Sequence, residues 1–155
     1  EIPPIFLAVH IGLILSGYGA YLVAALAGSL FLLAERALRS HHPDGIFSSL
    51  PPIEESAGLQ HRAVRLGVVL YSWGILSGIV GTLLLGEVGR FFRDPTVASS
   101  LVLWVYMTLQ FLLQTLWGFR RRRAAGASLF GGILIFLIFF ALAFAPKYHA
   151  AVLAP

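Results

Sequence analysis

The sequence predicts an all-α integral membrane protein: a four-helix transmembrane bundle with both termini on the outer (periplasmic) side. Composition is the first reason. Of 155 residues, 58% are hydrophobic and only 12% charged, with a mean hydropathy of +0.85. A soluble domain of this length has too much surface for its volume to hide that much apolar area. The second reason is the presence of four apolar stretches that each meet the requirement of about 20 residues for a bilayer crossing. The third is the uneven placement of arginine. The formal net charge is +4, but the basic residues cluster at the ends of the apolar spans. That pattern marks membrane orientation, not nucleic acid, which is not expected as a partner. With no cysteine in the chain, disulfides, thiolate metal sites and thiol catalysis are excluded.

The first span covers about 5–34 and closes at Glu35-Arg36. It is long enough to tilt or to project from the bilayer. It also lacks a basic leader, so it reads as a span and not as a cleavable signal. The second covers about 63–86, the third about 97–118 and the fourth about 127–145. Pro3, Pro4 and Pro95 precede spans, where a helix start tolerates proline, and Pro146 ends the fourth. Asp94 before Pro95 reads as an N-cap. The segment 37–60, with "SHHPDG" and "SLPPIEES", and the segment 119–126 read as loops, as does 87–96. Arg36, Arg39, Arg62, Arg65 and Arg120 to Arg123 flank or occupy the first and third loops, against Arg90, Arg93 and Lys147 elsewhere. This asymmetry puts loops 37–60 and 119–126 in the cytoplasm and 87–96 outside. The whole chain, 1–155, reads as a single multi-pass domain of a bacterial inner or energy-coupling membrane. The run "FRRRR" is a cytoplasmic stop, with anionic lipid as a further ligand class.

Gly12, Ser16, Ala20, Ala24 and Gly28 recur every fourth residue on the first span, and Gly67, Gly74, Gly78 and Gly81 lie on the second. Small residues at such spacing are expected to let helix backbones approach closely. Tyr18, Tyr71, Trp73 and Trp117 read as interfacial anchors or packing groups. Among the histidines, His41, His42 and His61 fall in or beside the polar loop. His10 does not. It interrupts an apolar run about 9 Å inside the outer end of its helix at 1.5 Å per residue, and burying an imidazole unpaired costs several kcal/mol by rough estimate. His149 follows the fourth span at the same outer face. Two imidazoles at one level on different helices can hold the iron of a haem b from opposite sides. A helix-to-helix hydrogen bond for His10, with His149 solvated, is the competing reading.

The strings "VHIGLILSGYGAYLVAALAGSLFLLAER", "LPPIEESAGLQHRAVRLGVVLYSWGILSGIVG" and "RDPTVASSLVLWVYMTLQFLLQTLWGFRRRRAA", in this order, resemble the cytochrome c assembly family of CcsA, ResC and HemX-like membrane proteins. Asp94, Pro95, Trp104, Gly118, Arg122 and Arg123 fall on matching residues. The resemblance implies that His10 and His149 are the outer haem ligands. It also implies departures. The family's tryptophan-rich signature is here "FFRDPT", with Phe91, Phe92 and Arg93 replacing the tryptophan segment, and the family's deeper ligand position is Leu112. The HemX-like branch, with its similarly degenerate signature, is the closer comparison.

Two functional classes follow. One is a haem-binding membrane protein, acting in cytochrome c biogenesis as a haem-handling factor or as an electron-transfer subunit of a membrane complex. Its cofactor is haem b held by His10 and His149, with Arg93 placed to pair with a haem propionate. The other is a haem-free structural or assembly subunit docking a larger respiratory or photosynthetic complex. The expected partners are the lipid bilayer, haem, and other membrane subunits or a cytochrome c. No outward carboxylate pair, activated nucleophile or hydrolytic metal cluster is legible, so catalysis by the chain alone is not expected.

Overall fold

A computed structural model describes residues 3–39, 51–86, 89, 94–119 and 121–144. Four helices, α1 (Pro4–Arg39), α2 (Ile53–Leu85), α3 (Pro95–Leu116) and α4 (Arg122–Phe144), account for nearly all of them. Each is long and apolar enough to cross a membrane. The side chains facing away from the bundle are those of a lipid-exposed surface, with Leu26, Leu84, Phe136 and Phe140 largely exposed. Trp73 and Trp117 are exposed as well, whereas Tyr18 and Tyr71 are buried packing groups.

The helices outrun the apolar spans. At 36 residues, α1 is about 54 Å long, well beyond the roughly 30 Å hydrocarbon core. Residues 37–39 and 53–60, read from sequence as part of the first loop, are helical. Pro52 occupies the N-cap position of α2, and Glu54 and Glu55 sit in its first turn, where carboxylates complement the positive end of the helix. Polarity therefore marks where α2 leaves the apolar layer, not where the helix begins. Similarly, α4 starts at Arg122, inside the segment read as the third loop. At α3 the expected cap is present: Asp94 Oδ1 accepts from Thr96 N–H at 2.8 Å, with Pro95 at the first helical position.

Neighbouring helices run antiparallel, and side-chain pairs show the register. His10 meets Gly78, Ile14 meets Gly74, Gly17 meets Tyr71 and Tyr21 meets Gly67 across α1 and α2. Between α1 and α4, Gly28 lies against Ala125, Ala25 against Gly132 and Tyr18 against Phe139. Between α2 and α3, Trp104 Nε1–H donates to Ser72 Oγ at 2.9 Å and His61 bonds Gln114. Tyr106 OH closes α3 onto α4 by donating to the Ala127 carbonyl at 2.7 Å. The bundle therefore has two distinct ends. One carries His10, Gly78, Asp94 and the C-terminal turns of α2 and α4. The other carries Arg36, Arg39, Arg121 and Arg122, with Glu35 held 2.9 Å from Arg39 and 3.7 Å from Arg122.

The expected stripe of small residues on α1 is only half correct. Gly12 and Ser16 are exposed, whereas Ala24 and Gly28 are buried. A strict spacing of four advances about 40° per step around a 3.6-residue helix, so such a stripe drifts off the interface. The residues that meet α2 are His10, Ile14, Gly17 and Tyr21, at spacings of 4, 3 and 4, which keep to one face.

Candidate functional site

At the histidine end, the half-buried His10 ring lies against the last third of α2. Its Nδ1 is 3.0 Å from the Gly74 carbonyl and 3.0 Å from Ser77 Oγ. Ser77 Oγ itself donates to the Gly74 carbonyl at 2.7 Å. A carbonyl has no proton to give, and the Ser77 proton is already committed to it. The Nδ1 proton must therefore be on the imidazole, and His10 is the donor. In the neutral ring this makes Nε2 the atom with the free lone pair. Both hydrogen bonds of the ring to described residues run through Nδ1, and none through Nε2.

The local sequence explains this fit. A Cβ built on Gly78 would come within 2.9 Å of His10 Cε1, and one on Gly74 within 2.6 Å of Ile14 Cδ1. Glycine at these two positions lets α2 accept the ring edge-on and exposes the carbonyl that orients it. Ser77, Gly74 and Gly78 thus belong to the site, although only the glycines carried a sequence signal, as packing residues.

His149, Arg93, His41 and His42 lie outside the described residues. So does the rest of the former tryptophan segment, Phe91 and Phe92. Leu112, at the family's deeper ligand position, is 38% exposed on α3 and adds no polar group to the bundle. Among the described residues no group of three or more His, Asp or Glu side chains is placed to hold a metal ion.

A second polar assembly crosses the bundle toward the arginine end, and sequence reading passed over it. Tyr21 OH donates to Gln110 Oε1. Gln110 Nε2 donates to Ser128 Oγ at 2.7 Å, and so does Gln60 Nε2, also at 2.7 Å. One helix turn further along α3, Gln114 Oε1 accepts from His61 Nδ1–H at 3.0 Å. Gln60, Gln110, Gln114 and Ser128 are all buried. The available signal was two glutamines four residues apart in an otherwise apolar span, since amides inside a membrane helix face the bundle.

The family profile described as "Cytochrome C assembly protein" matches residues 4–149, and the chain belongs to this family. Among curated relatives, it is similar to Protein HemX of Brevibacillus brevis, 29% identical over 119 residues that cover 76% of this chain and 40% of the relative. It is also similar to an uncharacterized 28.8 kDa protein in the nifR3-like 5' region of Azospirillum brasilense. That match is 28% identical over 138 residues, covering 88% of this chain and 50% of the relative. The chain thus spans half or less of the length of these relatives. No solved structure shows a significant match.

Proposed function

We propose that this multi-pass membrane protein binds one haem b at the histidine end of its bundle, with His10 and His149 as the axial ligands, and that it acts as a haem-handling factor. The observation that carries the reading is the 3.0 Å contact of His10 Nδ1 with the Gly74 carbonyl. A ligating histidine almost always donates its other ring N–H to a carbonyl or carboxylate, which sets ring orientation and raises basicity. His10 does this through Nδ1 to Gly74, and Nε2 remains for iron. Membership of the cytochrome c assembly family supports a haem-related role independently of that geometry. When bound, the haem supplies a one-electron iron couple. The chain's own Gly74 carbonyl and Ser77 hydroxyl orient the His10 ring.

The competing reading, a haem-free structural subunit, draws on the same hydrogen bonds, because they already offset the cost of an imidazole in an apolar span. A purified sample separates the two. The full chain should show a Soret band and sharp reduced α and β bands, and His149→Ala should leave the haem five-coordinate or lost. A colourless protein from haem-replete cells favours the structural subunit. Arg93 is proposed to pair with a propionate. Arg93→Gln should then lower the haem midpoint potential, because removing a nearby positive charge favours the oxidised iron. An unchanged potential and occupancy would remove Arg93 from the site.

The histidine end is proposed to face outward, with loops 37–60 and 119–126 in the cytoplasm. The combined lysine and arginine count of eight against three supports this. The chain has no native cysteine, so single-cysteine variants need no background removal. A membrane-impermeant maleimide applied from outside should label cysteine at Thr96 or Ser99 but not at Ser48. The opposite pattern places His10 on the cytoplasmic side.

A further inference from the structure

Helix α2 meets α1 through Gly67, Tyr71, Gly74 and Gly78. Its opposite side carries three donors that the bundle leaves without acceptors. Arg62 and Arg65 are both exposed. Among the described residues neither pairs with a carboxylate, and Glu35 is engaged by Arg39 and Arg122. Trp73 is 61% exposed. Its indole N–H meets no acceptor among the described residues, whereas that of Trp104 donates to Ser72 Oγ at 2.9 Å. With the exposed Leu66, Val69 and Leu76, these residues recur at spacings of three and four and form one strip along the helix.

Depth makes the strip unusual. Arg65 and Trp73 are eight residues apart, about 12 Å along a helix, and a hydrocarbon core is about 30 Å thick. With Arg65 at the boundary of the arginine end, Trp73 lies close to the middle of the layer. With Trp73 at the other boundary, where indoles usually sit, Arg65 lies close to the middle instead. The helix register also brings Arg65 deep. It is two residues from Gly67, which packs against the backbone of Tyr21, at the midpoint of α1 (Pro4–Arg39). In either placement an unpaired donor faces the apolar layer, where it is costly.

We propose that this strip docks a transmembrane helix of another protein, one that carries an Asp or Glu at the level of Arg62 and Arg65. Charge complementarity selects the carboxylate, since a guanidinium taken out of water needs an anionic partner. A second copy of this chain has none to offer inside a span. None of its seven acidic residues lies between positions 4 and 34, 56 and 86 or 95 and 144. A lipid phosphate at the boundary can reach an arginine, but it does not also cover Trp73, about 12 Å further along the helix. An apolar helix with one carboxylate covers both. Arginine and tryptophan are also the side chains that most often dominate the energetics of a protein interface.

The test uses the full chain in phosphatidylcholine vesicles, with photoreactive benzoylphenylalanine in place of Val69, between Arg65 and Trp73 on the strip. The probes are two leucine–alanine transmembrane peptides of about 23 residues, identical except for a single Glu or Gln. Cross-linking to the Glu peptide should exceed that to the Gln peptide about tenfold, a ratio within reach of one desolvated charge pair. Arg62→Leu combined with Arg65→Leu should abolish the excess, and Arg62→Lys with Arg65→Lys should retain it. All four positions changed are exposed, so far-ultraviolet circular dichroism should stay that of the wild type. The same photoreactive group at Leu15, on the exposed side of α1, should give no Glu-dependent adduct. Equal yields for the two peptides overturn the proposal. So does loss of the excess when phosphatidylglycerol is added, which assigns the arginines to lipid phosphate. In native membranes the Val69 adduct should map to a span containing Asp or Glu. An adduct to a span without one, or to a second copy of this chain, overturns the proposal as well.

Discussion

Gly17→Leu is expected to destabilise the bundle by about 3 kcal/mol, near the upper end of what overpacking usually costs. A Cβ at Gly17 would lie 2.9 Å from Tyr71 Cβ, 3.0 Å from its backbone nitrogen and 3.1 Å from its Cα. Two of those three atoms are backbone, so no rotamer change relieves the clash and α1 must move away from α2. The movement also breaks what lies next to it. Tyr18 OH and Tyr71 OH are hydrogen-bonded at 2.8 Å with ring centroids 4.9 Å apart, and the Tyr71 side chain is fully buried. Gly12→Leu on the same helix is the control. Nothing lies within 4 Å of its added Cβ and the position is exposed. It should be neutral or slightly stabilising, since leucine is the better helix former. Reversible unfolding of the full chain in mixed micelles, followed by far-ultraviolet circular dichroism, measures both. Equal loss in the two variants would mean that the α1–α2 contact is not as close as the Gly17–Tyr71 distances require.

This pair of variants also shows what the sequence could and could not reveal. Four membrane-length helices follow from hydropathy, because lipid imposes the same requirement on every residue of a span. The Asp94-Pro95 cap follows from local backbone chemistry and needs no neighbour. Which face of α1 meets α2 is different. The i, i+4 stripe from Gly12 to Gly28 stood out in the sequence, yet the interface uses His10, Ile14, Gly17 and Tyr21. Lipid and protein are equally apolar to a leucine, so the pattern of hydrophobicity does not distinguish the two faces in the way it does for a soluble helix. The loop boundaries failed for a related reason. Residues 53–60 of α2 are polar because they leave the apolar layer, and a helix outside the membrane obeys propensity and capping, not hydropathy. At the site, the isolated position of His10 in an apolar run marked it for attention. Its partners were not legible, since one is a backbone carbonyl and the other, Ser77, is an ordinary residue at helix contacts.

The second large expected effect separates the two tasks that His10 can perform. His10→Ala removes both the donor to Gly74 and the free Nε2, so a loss of haem in that variant can be blamed on packing. His10→Gln does not share this ambiguity. The glutamine amide can still donate to the Gly74 carbonyl, but it offers no imidazole lone pair to iron. Hydrogen bonds between membrane helices contribute about 0.6 kcal/mol on average and at most about 1.7. On that scale His10→Ala should lower stability by about 1 kcal/mol, and His10→Gln should change it little. For haem the order is different: both variants should lose the six-coordinate low-spin spectrum completely. Ser77→Ala provides the intermediate case. It keeps both proposed ligands and the Gly74 acceptor and loosens only the ring's second contact, so on the proposed reading haem should remain bound with a shifted midpoint potential. If His10→Gln retains a native haem spectrum, the imidazole is not a ligand and its role ends at the hydrogen bond to α2.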